Sequence, residues 1–143
     1  MRLEWILLAE GVGTNAVGSV TAISINSNVL ATSTVPVTTK RVVIMHFVGE
    51  IGESAALDGR DITVSVRVLS PSGDPILANS TNGKFQAPTW PGLPSGLDIT
   101  IEMSLRITEY GTHDIAVTAQ ADGETTLEGR TQLYVMEPSR PSP

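Results

Sequence analysis

The chain contains no cysteine, so it has no disulfide framework, no thiolate nucleophile and no thiolate-bound metal, a composition compatible with a reducing compartment. It has two histidines, His46 and His113. A catalytic zinc site would need both of them plus a carboxylate, and their spacing gives no reason for them to meet. Cations are scarce as well. Nine Lys and Arg stand against fifteen Asp and Glu, for a formal charge of −6 and a pI near 4.7, which argues against a nucleic-acid partner. Long apolar runs are missing too. The opening MRLEWILLAEG carries one Arg and is broken by Glu4, too short for an export signal, and no later stretch reaches the ~18 apolar residues of a membrane-spanning helix. The expectation is a soluble cytoplasmic chain with neither nucleic acid nor membrane as partner.

Motifs that carry chemistry are equally sparse. No G-x-S-x-G elbow is present, and neither Ser19 nor Ser95 has a recognisable base partner. The GVGTNAVG run has glycines beside a strand but no helix after them to offer its N-terminus to a phosphate, so it is expected to be a turn. Glu50, Glu53, Asp58 and Asp61 form an acidic group without the alternating pattern of a calcium loop, and a solvated turn is favoured over a cation site. Asn79-Ser80-Thr81 fits a glycosylation pattern that has no use without export. No catalytic, cofactor or metal residue is therefore expected, and the chain is read as not being an enzyme.

What is present is period-2 alternation. Apolar residues make up 41% of 143 positions, enough for one domain that buries ~68% of the unfolded chain's surface. Ile99, Ile101, Met103, Leu105 and Ile107 share one strand face, with Thr100, Glu102, Ser104, Arg106 and Thr108 on the other. Ile115, Val117 and Ala119, then Leu127, Leu133 and Val135, continue the pattern through a hairpin. A two-residue loop at Asp122-Gly123 would set Val117 beside Glu128, so a three-residue loop or bulge at 122–124 is expected.

Before this unit, Leu3 to Ala9 reads as a strand apolar on both faces, with Leu3, Trp5 and Leu7 opposite Ile6 and Leu8. Gly11, Gly13, Thr14 and Asn15 supply a turn into a strand over Val17 to Ile25. A short edge strand is expected at Val29 to Ala31, a loop through Pro36, and a buried strand over Arg41 to Val48, RVVIMHFV. Ile62, Val64, Val66 and Val68 face inward along the next strand, SPSGDP turns at 70–75, and Ile76 to Asn79 pair back. Residues 80–96 are a Pro- and Gly-rich loop, and 137–143 a flexible tail after a single domain over 1–136.

The corner ITEYGTHDI resembles the turn between the fifth and sixth strands of immunoglobulin-like sandwiches, through Glu109, Gly111, His113 and Ile115. In that family a tyrosine near this point hydrogen-bonds back to the backbone; here His113 stands in its place. WILLAEG, NAVGSVTAI, RVVIMHFVGEIGE, VSVRVLSPSGDPI and YGTHDIAVTAQADGE together resemble an uncharacterised, mostly actinobacterial family of small cytoplasmic β-sandwich proteins, a domain of unknown function. That resemblance implies a fold and no activity, ligand or site residue.

The reading is an antiparallel β-sandwich of seven to nine strands with immunoglobulin-like topology, and a role as a protein-interaction or structural module. One alternative is a glycan or small-molecule binder using Phe85 and Trp90 in the 80–96 loop, aromatics that otherwise cap an open end of the sandwich. Another is a subunit of a larger particle such as a phage component. His46, on a strand face with Val42, Ile44 and Val48, is read as a satisfied core or interface residue. With Lys40 and Lys84 both placed in loops, the sheet edges look poorly protected, and two strands are apolar on both faces. A homodimer or protein partner is expected to cover Ile6, Leu8, Val43, Met45 and Tyr134.

Overall fold

The computed structural model describes residues 1–14, 20–49, 59–85, 93, 96–121 and 126–138. Nine strands run through them: β1 (Arg2–Thr14), β2 (Val20–Ile25), β3 (Val29–Ala31), β4 (Val37–Val48), β5 (Asp61–Leu69), β6 (Pro75–Lys84), β7 (Gly96–Ile107), β8 (Gly111–Ala121) and β9 (Leu127–Met136). They form a four-stranded sheet ordered β2-β1-β4-β7 and a five-stranded sheet ordered β3-β9-β8-β5-β6. The protein is all-β, two sheets packed face to face. No helix among the described residues is long and apolar enough to cross a membrane.

Period-2 side chains build the interior. Ile62, Val64, Val66 and Val68 of β5, the odd residues 99–107 of β7, and Ile115, Val117 and Ala119 of β8 enter one core between the sheets. Each large aliphatic side chain buried there contributes roughly 1.5–3 kcal/mol relative to exposure. β7 and β8 belong to different sheets, as the corner pattern predicts, so the chain crosses the sandwich at 108–110. On the β8–β9 ladder Val117 faces Gly129 and Ala119 faces Leu127, the odd-to-odd register that keeps Val117 away from Glu128. The loop at 122–124 lies outside the described residues.

Several expectations are corrected. β1 pairs with β4 through a register shift between Leu3 and Trp5, which puts Leu3 on the core side with Ile6 and Leu8 and turns Trp5 outward. Gly11, Gly13 and Thr14 lie within β1, paired with β2, and do not form a turn. β4 begins at Val37, and β6 extends to Lys84, well past Asn79. Lys40 and Lys84 are therefore strand residues; Lys84 closes the edge strand β6 and pairs with Asp61 at 3.4 Å.

The two-faced apolarity of β4 has an intrachain cause. Val43, Met45 and Phe47 enter the main core, while Val42 and Ile44 join Ala9 in a second cluster on the outer face of the four-stranded sheet. Val12 and Ala22, from the far half of the β1–β2 pair, pack against that cluster. The chain covers this second apolar cluster with its own β1–β2 ribbon, whereas a partner was expected at Ile6, Leu8, Val43, Met45 and Tyr134. Leu8, Val43 and Met45 are at most 1% exposed between the sheets, so they cannot be contact residues.

The corner at 109–113 is anchored from three sides. Tyr110 donates its hydroxyl proton to the Thr32 carbonyl at 3.0 Å, tying the crossing to the segment after β3. A tyrosine thus fixes the corner to the segment that follows β3. Gly111 has φ +123, and a Cβ there would lie 3.0 Å from Pro71 Cγ, so the β5–β6 turn packs directly on it. Ser72 of that turn donates to Glu109. His113 is fully buried, its Nδ1 3.2 Å from the Gly111 carbonyl, and its Nε2 has no partner among the described residues.

Candidate functional site

The outer face of the four-stranded sheet holds the most chemically varied group of side chains. Trp5 pairs with His46 across β1 and β4, and His46 pairs with Asp98 across β4 and β7. The three form one straight row over three strands, because residues opposite each other on neighbouring strands share a face. The Trp5 and His46 rings stack at 5.2 Å between centroids and 14° between planes. His46 Nδ1 lies 2.6 Å from Asp98 Oδ1, and since a carboxylate only accepts, Nδ1 carries the proton. On the other side, His46 Nε2 lies 3.5 Å from Glu4 Oε2, and Glu4 also meets Arg2 at 3.6 Å. Gly96 flanks the ring, where a Cβ would touch His46 Cε1 at 3.5 Å.

This arrangement orients an imidazole between two carboxylates. A carboxylate–histidine pair is two parts of a hydrolytic triad, and among the described residues the other ring nitrogen faces a second carboxylate, Glu4. The two carboxylates sit against opposite ring nitrogens, so with His46 they do not converge on one ion, and among the described residues no group of His, Asp and Glu could hold a metal. Trp5 remains 38% exposed, leaving an aromatic surface beside two acids.

Further along the same face, β1 leaves β4 after Ala9 and opens a groove of about 470 Å³ between Glu10–Val12, Lys40–Val42 and Glu102–Ser104. Arg41, one of the residues that line it, is 7% exposed and is held by neutral oxygens. Its Nε donates to the Ser27 carbonyl at 3.2 Å, and Nη1 to Thr39 Oγ1 at 2.7 Å and the Lys40 carbonyl at 2.9 Å. The guanidinium ties the β2–β3 connection to β4.

The residues singled out from sequence are scattered. Phe85 is fully buried in the main core, its backbone hydrogen-bonded to Gly59 and Arg60, so it is a packing residue and not an exposed binding aromatic. Trp90 lies outside the described residues, as do Glu50, Glu53 and Asp58; Asp61 is taken up by Lys84. Ile6 packs against the core and is half-buried. Of the six that are described, Tyr134 alone is exposed on a sheet face, on β9, with its hydroxyl donating to Gln132 Oε1 at 2.6 Å. The sequence reading missed the Trp5–His46–Asp98 row. Each member is unremarkable on its own strand, and only the pairing of β1, β4 and β7 assembles them.

Among the described residues, Glu109 has a shifted acidity. The Ser72 hydroxyl, and after it the Ser70 hydroxyl, hold its carboxyl below the usual carboxylate range by hydrogen-bonding the charged form. This group belongs to the corner and not to the sheet face.

The sequence matches no family model and no curated protein.

Proposed function

We propose that the protein is a non-enzymatic, immunoglobulin-like β-sandwich that acts as a protein-interaction or structural module. The topology is supported by the crossing from β7 to β8 and by β3, which runs parallel along β9 while the other ladders are antiparallel. The interaction role rests on one observation: β7 is twelve residues long, has β4 as its one ladder among the described residues, and ends the four-stranded sheet. A long open edge presents a row of backbone donors and acceptors that another chain can complete.

The test is in-cell cross-linking of the full chain in the cells that produce it, alongside Ser104→Lys, which puts a charge on the exposed face of that edge. The wild type should carry a companion chain in fixed proportion, its own copy or another protein, and the variant should lose it. A wild-type chain recovered alone would sink the reading.

A second reading, binding of a glycan or similar small ligand, is favoured by the exposed Trp5 ring flanked by Glu4 and Asp98, in place of the 80–96 loop. A thermal-shift screen of sugars against wild type and Trp5→Ala checks it; no sugar raising the melting temperature of the wild type alone would exclude it.

A further inference from the structure

We propose that β7 is the self-association edge of this protein: two copies join β7 to β7 antiparallel about a two-fold axis at Ser104, merging their four-stranded sheets into one of eight strands. The proposal rests on the interaction-module reading and names its partner as a second copy of the chain.

The other three sheet edges are defended. β2 is six residues long and contains Ser24 at φ +53. β3 has three residues. β6 starts at Pro75, has a register shift at its β5 end, and finishes at Gly83 and Lys84. Short strands, prolines, irregularities and terminal lysines are the devices that discourage edge pairing. β7 has none of them. It contains no proline or lysine, its ladder with β4 is unbroken from Val37–Ile107 to Val48–Gly96, and its burial alternates regularly to the last residue.

Charge then selects the partner and the register. The outward residues of β7 are Asp98, Thr100, Glu102, Ser104 and Arg106. Asp98 is engaged by His46, whereas Glu102 and Arg106 are exposed and neither joins an ion pair among the described residues. A two-fold β7–β7 ladder must pair core-facing with core-facing residues, which leaves registers centred on a single residue. Centred on Glu102, it sets that carboxylate against its own copy. Centred on Met103, it sets Glu102 against Ser104 and Arg106 against Thr100. Centred on Ser104, it sets Glu102 opposite Arg106 of the other copy, twice by symmetry, and Met103 opposite Leu105 on the core side. This strand is complementary to itself in that register, and an isologous contact of this kind closes as a dimer.

The experiment is sedimentation equilibrium of the full-length chain at about 100 μM, where a micromolar Kd fills the dimer. The wild type should be dimeric. Glu102→Arg and Arg106→Glu each turn both cross-strand pairs into like charges and should weaken the dimer at least about tenfold. Mixing the two variants in equal amounts should restore dimer as a heterodimer, and the double variant Glu102→Arg/Arg106→Glu should dimerise by itself. Both positions are exposed, and unchanged thermal unfolding of the variants confirms that they fold. A monomeric wild type, single variants as dimeric as the wild type, or a mixture that stays monomeric each overturns the proposal. A monomeric wild type that still carries a different protein in cross-linked cells would reject the self-pairing while leaving the module reading standing.

Discussion

A methyl group of Leu3 occupies the space where Gly129 lacks a side chain: a Cβ built on Gly129 would lie 2.5 Å from Leu3 Cδ2. Leu3 belongs to the four-stranded sheet and Gly129 to the five-stranded one, so the absent side chain on β9 sets how closely the sheets approach at that end. Gly83 does the same beside β7, where a Cβ would meet Ile99 Cδ1 at 2.9 Å. Both contacts are with the ends of flexible side chains, which can give way to one added carbon more easily than to a branched side chain.

Gly129→Val should therefore destabilise the fold by about 1–3 kcal/mol through overpacking. Combined with Leu3→Ala, the loss should be smaller than the sum of the two single losses, because the truncated residue vacates the contested space. Urea unfolding of the four proteins measures the coupling, and strict additivity would mean the two side chains do not compete.

Phe85→Ala should cost about 3–5 kcal/mol and Ile101→Ala about 2–5 kcal/mol, with Val66→Ala somewhat less, because all three are buried between the sheets. Chemical denaturation gives the values. A loss under about 0.5 kcal/mol at Phe85 would return that ring to the surface, and with it the loop-binding reading.

Tyr110→Phe removes the hydroxyl that donates to the Thr32 carbonyl and leaves the ring in place. The expected loss is about 0.5–1.5 kcal/mol. Amide exchange should quicken around residues 32–36 as the corner loosens; unchanged exchange there would show that the tie carries nothing.

At Glu109 the sign follows from the direction of its shift. The Ser72 and Ser70 hydroxyls favour the carboxylate in the folded chain, so the carboxyl binds its proton less readily there than in the unfolded chain. The resulting stabilisation is fully present above the ordinary carboxylate range and disappears as pH falls through the lower folded-state value. Wild type should be more stable than Glu109→Gln at neutral pH, with the gap closing under acid. The group is only partly buried, so the gap should be small, and a gap that widened on acidification would reverse the assignment.

How much was legible depended on how far apart the deciding residues lie. The alternation over 99–107, 62–68 and 115–119 fixes three strands and their inner faces locally, because each side chain's face depends only on its immediate neighbours. The β8–β9 register could be reasoned from sequence for the same cause: a one-residue slip would have buried Glu128 beside Val117. The strand ends were less clear. Gly11 and Gly13 read as turn residues, yet a ladder partner in β2 keeps them extended. The faces of β1 were misassigned because the shift between Leu3 and Trp5 is imposed by pairing with β4 and leaves no mark in the local pattern.

By itself, then, the sequence determined the all-β class, the crossing at 108–110 and most of the inner core, since hydrophobic burial acts through a period written residue by residue. Tertiary structure alone decided what covers the second apolar face of β4, which neighbours His46 meets, and which strands end the sheets. Apolarity says that a side chain must be covered and is silent on by what. Val42 and Ile44 are covered by Val12 and Ala22 of the same chain, and Trp5, His46 and Asp98 become a row through pairings that join residues up to 52 positions apart. Those choices depend on the registers of whole strands, a property of the assembled sheet that no single stretch contains.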